Sequence, residues 1–255
     1  MRKQTLIAGL CVGGMMATVQ PGAAAEVKIL TAGAFKQVVL AVMPELEKLG
    51  HKVTVDNDTV GALQKRIDGG ETFDVVVVTP GAIDDLAKKG KVAEGSKTVL
   101  ARVGVGVMVK AGTSMPDVSS VESFKQALLA AKSVAYIDPA SGGSSGIYVA
   151  SLLQKLGIAE QVKPKERLKK GGYVADLIKS GEAELGIHQI SEIVPVKEVV
   201  LVGPLPAEIQ NHTTYAAGIG AGTKESEAAK AIIRVLSGPA AAAVLKEKGM
   251  DRPTS

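Results

Sequence analysis

Apolar positions along this chain recur in two alternating rhythms. Residues 27–31 form a short apolar-rich run, and residues 35–49 place apolar side chains at helical spacing up to Gly50. The same pair follows twice. Residues 52–55 and 60–67 predict a strand and a helix that stops at Gly69-Gly70, and residues 75–78, four valines, are followed by a helix at 83–89. An unbroken valine run predicts a strand buried on both faces. Repeated strand-to-helix winding predicts an α/β fold built on a mainly parallel sheet.

The rhythm changes at LARVGVGVMVKAG, residues 100–112, a long strand-like stretch interrupted by Gly104 and Gly106. Helix 121–131, strand 134–137, helices 147–156 and 174–179, and strands 185–189 and 199–202 follow. Residues 213–221 then predict another long strand, and 226–237 and 239–248 predict alanine-rich helices. If both long strands cross between two lobes, residues 26–105 with 213–255 build lobe 1 and residues 106–212 build lobe 2. A ligand cleft then lies between them.

The N-terminus has to be set apart from this pattern. Arg2 and Lys3, an apolar run over 6–19 and Ala23-Ala24-Ala25 have the layout of a secretory signal peptide, cleaved after Ala25. Roughly 14 apolar residues fall short of the about 20 needed to span a bilayer, so no stable membrane insertion is expected after cleavage. Leu10 occupies the small-residue position that a lipoprotein site at Cys11 would need. The expectation is a periplasmic, monomeric protein. Cleavage removes the sole cysteine, and taking Arg2 and Lys3 from the net charge of +4 leaves +2.

This charge is mild and dispersed, and the chain has no Trp and only seven Phe and Tyr residues, none interleaved with Arg. No nucleic-acid partner is expected. PKERLKK at 164–170 predicts a solvated loop or helix face. Three histidines, no HExxH and no mature cysteine argue against a metal centre. Asp56-Asn57-Asp58 predicts a polar turn, since the rest of a calcium loop is missing. Neither a Walker sequence nor GxGxxG after the first strand is present, and no cofactor is expected.

DPASGGSSGIY at 138–148 carries the candidate chemistry, because GGSSG fits the hydrolase pattern GxSxG. A catalytic serine there must sit directly between strand and helix, yet Asp138 to Gly143 separate the strand from Ser144. An anion seat needs less. Gly142, Gly143 and Gly146 let backbone N–H groups converge, Ser144 and Ser145 add hydroxyls, and the following helix adds unpaired N–H groups with partial positive charge. A plain loop with a serine helix cap is the alternative. Thr31-Ala32-Gly33-Ala34 and Asp58-Thr59-Val60-Gly61 lead into helices in the same way. Helix starts from two lobes around one cleft predict a receptor that closes on a small anion.

DPASGGSSGIYVASLLQKLG at 138–157 and GEAELGI at 181–187 carry a resemblance, over nearly the whole mature chain, to the periplasmic molybdate-binding proteins and their relatives, class II solute receptors of ABC importers. The resemblance implies a two-lobed class II periplasmic-binding-protein fold and an ABC importer permease as partner. It implies ligand contacts at Gly33 or Ala34, Thr59 or Val60, Ser145, Gly171 or Gly172, and Gln189, with Ser144 and Gly146 in the same loop. Molybdate receptors offer a serine at the first turn and a tyrosine after the Gly-Ile strand; here the first is TAGAF and the second Gln189. A tetrahedral oxyanion loses hydroxyl donors, so an organic polycarboxylate is preferred over molybdate or tungstate. TAGAF, GEAELGIHQISEI and VGPLP resemble a branch that handles small polycarboxylates and includes aconitate isomerases. That resemblance implies an alternative, cis/trans isomerisation of aconitate in the cleft. An isomerase needs a base at the substrate carbon, and His188 and Glu192 are the candidates. Strand alternation places His188 on the face opposite Gln189, which favours a structural role for it. The sequence does not select the catalytic residue.

Overall fold

The structure is a computed structural model and describes residues 24–253. Apart from Ala24 and Ala25, the expected signal segment lies outside the described residues. Ala25 is buried, and its carbonyl accepts from the Lys52 amide at 2.8 Å.

The first half of the molecule is built from β1 (Glu26–Ala32), α1 (Gly33–Ala41), α2 (Met43–Glu47), β2 (Lys52–Asp58), α3 (Val60–Asp68), β3 (Val75–Val78) and α4 (Pro80–Lys88). Strands β2 and β3 both pair with β1 in parallel, the outcome that strand-to-helix winding predicts. One helix was expected across 35–49, but two form. Pro44 has no N–H for a bond to Leu40, and its ring crowds that carbonyl, so the chain restarts at Met43.

β4 (Thr98–Lys110) joins the halves. Its first part, Thr98 to Gly104, pairs antiparallel with β9 (His212–Ile219), which also pairs β3. From Val105 onward it pairs antiparallel with β7 (Leu185–Gln189), and from Gly106 with β8 (Val199–Pro204). Strand β4 therefore bonds on both sides of the junction, whereas β9 pairs β3 and the first part of β4. At the changeover Gln210 clamps Val105, accepting from its N–H at 2.8 Å and donating to its C=O at 3.0 Å. A β-carbon on Gly104 would lie 3.2 Å from that amide.

The second half contains α5 (Val121–Ala130), β5 (Val134–Ile137), α6 (Ser144–Lys155), α7 (Ala159–Val162), β6 (Glu166–Lys169), α8 (Ala175–Ser180), then β7, α9 (Ile190–Ile193) and β8. Strand β5 pairs β6 and β7 in parallel. The stretch 164–170 was expected as a loop or helix face, and it supplies this edge strand. Lys165 also donates to the Leu129 and Ala131 carbonyls at the end of α5, where the helix leaves acceptors unpaired. Helices α10 (Ser226–Ser237) and α11 (Pro239–Leu245) return to the first half.

The buried apolar residues follow the same division. One cluster draws on residues 25–103 and 215–250, and two others draw on residues 105–209. The molecule is two-lobed α/β, with the strand order β2-β1-β3-β9-β4-β7-β5-β6 running through both lobes.

Candidate functional site

Strand ends and helix starts from both lobes meet at one cavity. Lobe 1 brings Ala32, Gly33 and Ala34 from the β1–α1 turn, Asn57 to Val60 from the β2–α3 turn, and Tyr215 from β9. The other lobe brings Gly143, Ser144 and Ser145 at the start of α6, Gly172, and His188, Gln189 and Glu192 around the end of β7. Helices α1 and α6 have no side-chain cap, because the residues before them are Ala32 and Gly143. Their first N–H groups are orphan donors at the positive ends of the helices. Helix α3 differs: the Thr59 hydroxyl accepts from the Ala62 amide at 3.2 Å.

Hydrogen bonds cross the cleft at its rim. The Gly61 amide donates to the Gly142 carbonyl at 3.1 Å, the Thr59 hydroxyl to the Ser141 carbonyl at 2.5 Å, and the Gln37 amide to the Tyr173 hydroxyl at 2.6 Å. The lobes are thus closed on each other. Glycine makes the closest contact feasible, since a β-carbon on Gly61 would lie 2.7 Å from the Gly142 α-carbon.

His188 and Glu192 are buried against this cavity. The His188 Nε2 lies 3.3 Å from the Glu192 Oε2, with both side chains nearly inaccessible. Burial holds the histidine down to about 3, and burial pushes the glutamic acid up to about 8, with Lys36 pulling weakly the other way. At neutral pH this is a contact between two neutral groups rather than an ion pair. The other carboxyl oxygen, Oε1, is packed against the start of α1, where a β-carbon on Gly33 would come within 2.6 Å of it.

The two shifts act oppositely on stability. Between pH 4.5 and 8 the unfolded chain has released a proton that Glu192 still holds, so this group lowers stability as pH rises. Between pH 3 and 6.5 the unfolded chain holds a proton that His188 lacks, so that group raises stability with pH. Their slopes cancel from 4.5 to 6.5, and the net loss falls between 6.5 and 8.

Gln189 donates to the Thr213 hydroxyl at 3.0 Å and the Tyr215 hydroxyl at 3.3 Å, and its Oε1 is buried with no partner. Turned by half a rotation, the amide would accept from both hydroxyls and point its N–H₂ the other way. Asp58 introduces a carboxylate, but its Oδ1 accepts from the Thr59 amide at 2.8 Å and its Oδ2 lies 3.6 Å from Arg66. Among the described residues no group of three or more His, Cys, Asp or Glu is placed to hold a metal ion.

Of the residues singled out in the sequence, Gly33, Ala34, Thr59, Val60, Ser144, Ser145, Gly172 and Gln189 line this cavity. Gly146 and Gly171 do not. Gly146 is pressed against β5, where a β-carbon would meet the Ile137 carbonyl oxygen at 2.1 Å, and Gly171 faces the Asp58 carboxylate. Strand alternation separated His188 from Gln189, yet both line the cavity. Gln189 is the last residue of β7 and also immediately precedes α9, with φ −59° and ψ 133°, so the strand pattern ends at this point. Asn57, Asp58 and Tyr215 also line the cavity and were not named as site residues. The Asp-Asn-Asp turn was visible in the sequence, whereas Tyr215 carries no local signal because only the β4–β9 pairing brings it here.

Comparison with known proteins places this geometry in a family. The bacterial extracellular solute-binding protein family matches residues 27–251. An aconitate isomerase of Pseudomonas sp is 30% identical over 252 residues, covering 94% of this chain and 95% of that protein. The molybdate-binding protein ModA of Azotobacter vinelandii is 28% identical over 235 residues, covering 89% and 90%. The structure of the Azotobacter vinelandii periplasmic molybdate-binding protein superposes with a TM-score of 0.76 at 20% identity, covering 89% of this chain and all of that one. With its two lobes, its crossing strand and helix starts facing one cavity, the chain belongs to the bacterial extracellular solute-binding proteins.

Proposed function

We infer that this protein is a periplasmic receptor that captures a small organic polycarboxylate between its lobes and presents the closed form to an ABC importer permease. The observation that carries this reading is the pair of uncapped helix starts, α1 and α6, facing one cavity from opposite lobes. Orphan N–H groups at helix starts bind anions without a catalytic residue. Two such sites reached together favour a ligand with separated negative groups. The first turn offers Ala34 where an oxyanion would want a hydroxyl, and Gln189 adapts to either a donor or an acceptor on the ligand.

A second reading is favoured by Glu192, a titratable carboxyl within a cavity otherwise suited to anions, and by the similarity to an aconitate isomerase. On that reading Glu192, rather than His188, moves the proton between substrate carbons. The imidazole is held unprotonated by burial and is too weak a base for a carbon acid.

One set of samples tests both. Calorimetry with citrate, cis- and trans-aconitate, molybdate, tungstate and sulfate is expected to show micromolar or tighter binding of a polycarboxylate. Tight molybdate binding with no carboxylate binding would refute the polycarboxylate assignment. Proton NMR of the aconitate samples over hours reads turnover, and an unchanged isomer ratio rules out the isomerase.

A further inference from the structure

We propose that Glu192 is a specificity-determining ligand contact that acts as a neutral acid, donating a hydrogen bond to a ligand carboxylate, so that capture is coupled to a proton. The proposal rests on the polycarboxylate reading of the cleft and names the residue that selects for it.

The geometry leaves Glu192 few other roles. Its Oε2 lies 3.3 Å from the His188 Nε2, and its Oε1 lies at the uncapped start of α1, reached only because Gly33 has no β-carbon. The residue lines the cavity and is 7% exposed, too little for water to solvate a charge. With its proton, the carboxyl adds an O–H donor beside the orphan N–H groups of α1, and an O–H···O⁻ bond to a carboxylate is short and strong. Without it, the same group places a negative charge against the ligand in a poorly solvated site.

The surrounding groups support this ordering. From α1 comes Lys36, which favours the ionised form, but burial outweighs it. From β7 comes His188, which burial keeps neutral, and from β9 comes Tyr215, whose hydroxyl burial also holds un-ionised. Tyr173, on the segment before α8, is pushed up chiefly by burial. Asp58 shares the cavity, but its carboxylate is engaged by the Thr59 amide and Arg66. Glu192 is therefore the group whose charge changes near pH 8.

Affinity should accordingly stay level from pH 6.5 to about 7.5 and fall as pH passes about 8, towards tenfold per unit. trans-Aconitate is the probe for the whole range, because its carboxyls are ionised throughout, and citrate serves above about pH 7.5, where its third carboxyl has also ionised. In the wild-type chain, calorimetry in buffers of different ionisation enthalpy should count nearly one proton taken up per ligand at pH 9. In Glu192→Gln, whose amide is a neutral donor at every pH, affinity should be flat over this range and proton uptake absent. Melting curves check that the variant folds, and its advantage over the wild type should widen between pH 5 and 8. If that check fails, His188→Asn is the second variant. It removes the group on Oε2 while keeping a donor, and should move the midpoint of the pH dependence without abolishing it.

The proposal is overturned if wild-type affinity for each probe is level over its range up to pH 9.5, or if Glu192→Gln retains the wild-type pH dependence. Either outcome leaves the receptor reading intact. If neither probe binds to wild type or variant at any pH, the polycarboxylate reading fails and the proposal fails with it.

Discussion

Replacing Gly61 with Ala should weaken ligand binding by about tenfold to about a hundredfold while leaving the unliganded protein at least as stable as the wild type. On the receptor reading the lobes part in the absence of ligand, so Gly61 meets the other lobe only on closure and the two effects separate. Within its own lobe it is the second residue of α3, where alanine is a better helix former by up to about 1 kcal/mol. In the closed molecule it meets the other lobe. A β-carbon there would lie 2.7 Å from the Gly142 α-carbon and 3.3 Å from the Ser141 carbonyl oxygen, and both are backbone atoms that cannot swing aside. Relieving such a contact costs about 1–3 kcal/mol, and the cost falls on closure alone. Calorimetry for affinity and thermal melting for stability read the two consequences independently. Loss of melting temperature with unchanged affinity would show that the Gly61–Gly142 contact does not limit closure.

Gly146→Ala should do the reverse and strike the fold first. The glycine lies in the first turn of α6, and an added β-carbon would fall 2.1 Å from the Ile137 carbonyl oxygen and 2.8 Å from its carbon. Helix α6 would have to lift from β5, disturbing Val149, Leu152 and Leu153, which are packed beneath it. A loss of about 3 kcal/mol is expected, which for a chain of this size lowers the melting temperature by about 10 °C. Ser145→Ala, one residue away and facing the cavity, should instead lower affinity with little change in melting. Equal melting temperatures for Gly146→Ala and the wild type would contradict the packing role assigned to this glycine.

These two glycines also show how far the sequence can be read. Gly146 stands in the same glycine- and serine-rich loop as Ser144 and Ser145, and composition cannot separate a glycine that opens a seat for an anion from one that lets a helix lie against a strand. Only the path of β5 decides. The four-valine strand, the helix at residues 226–237 and the strand–helix rhythm were legible because burial imposes a period that survives in one dimension. The break at Pro44 was legible in principle, as proline removes a specific donor. The edge strand at Glu166–Lys169 was not, because its side chains stay largely exposed and show no apolar period.

The site divides along the same line. Helix starts announce themselves through small and hydroxyl residues at strand ends, and the three turns at residues 31–34, 58–61 and 138–146 do converge. Glu192 and His188 were visible as candidates but could not be ranked, since their chemistry comes from burial that two lobes and a crossing strand create together. Tyr215 was hidden altogether. Its place beside Gln189 follows from the sheet order, in which β4 lies between β9 and β7 and pairs Gly104 with His212 and Val105 with Gln189.

Capture of one anion by main-chain donors from both lobes is most directly tested by following the backbone amides of the isotope-labelled protein in two-dimensional NMR during titration with trans-aconitate. The amides of Gly33 and Ala34 in one lobe and of Ser144 and Ser145 in the other should shift together, saturating at one equivalent of ligand. Shifts confined to a single lobe, or to residues away from these turns, would contradict the account.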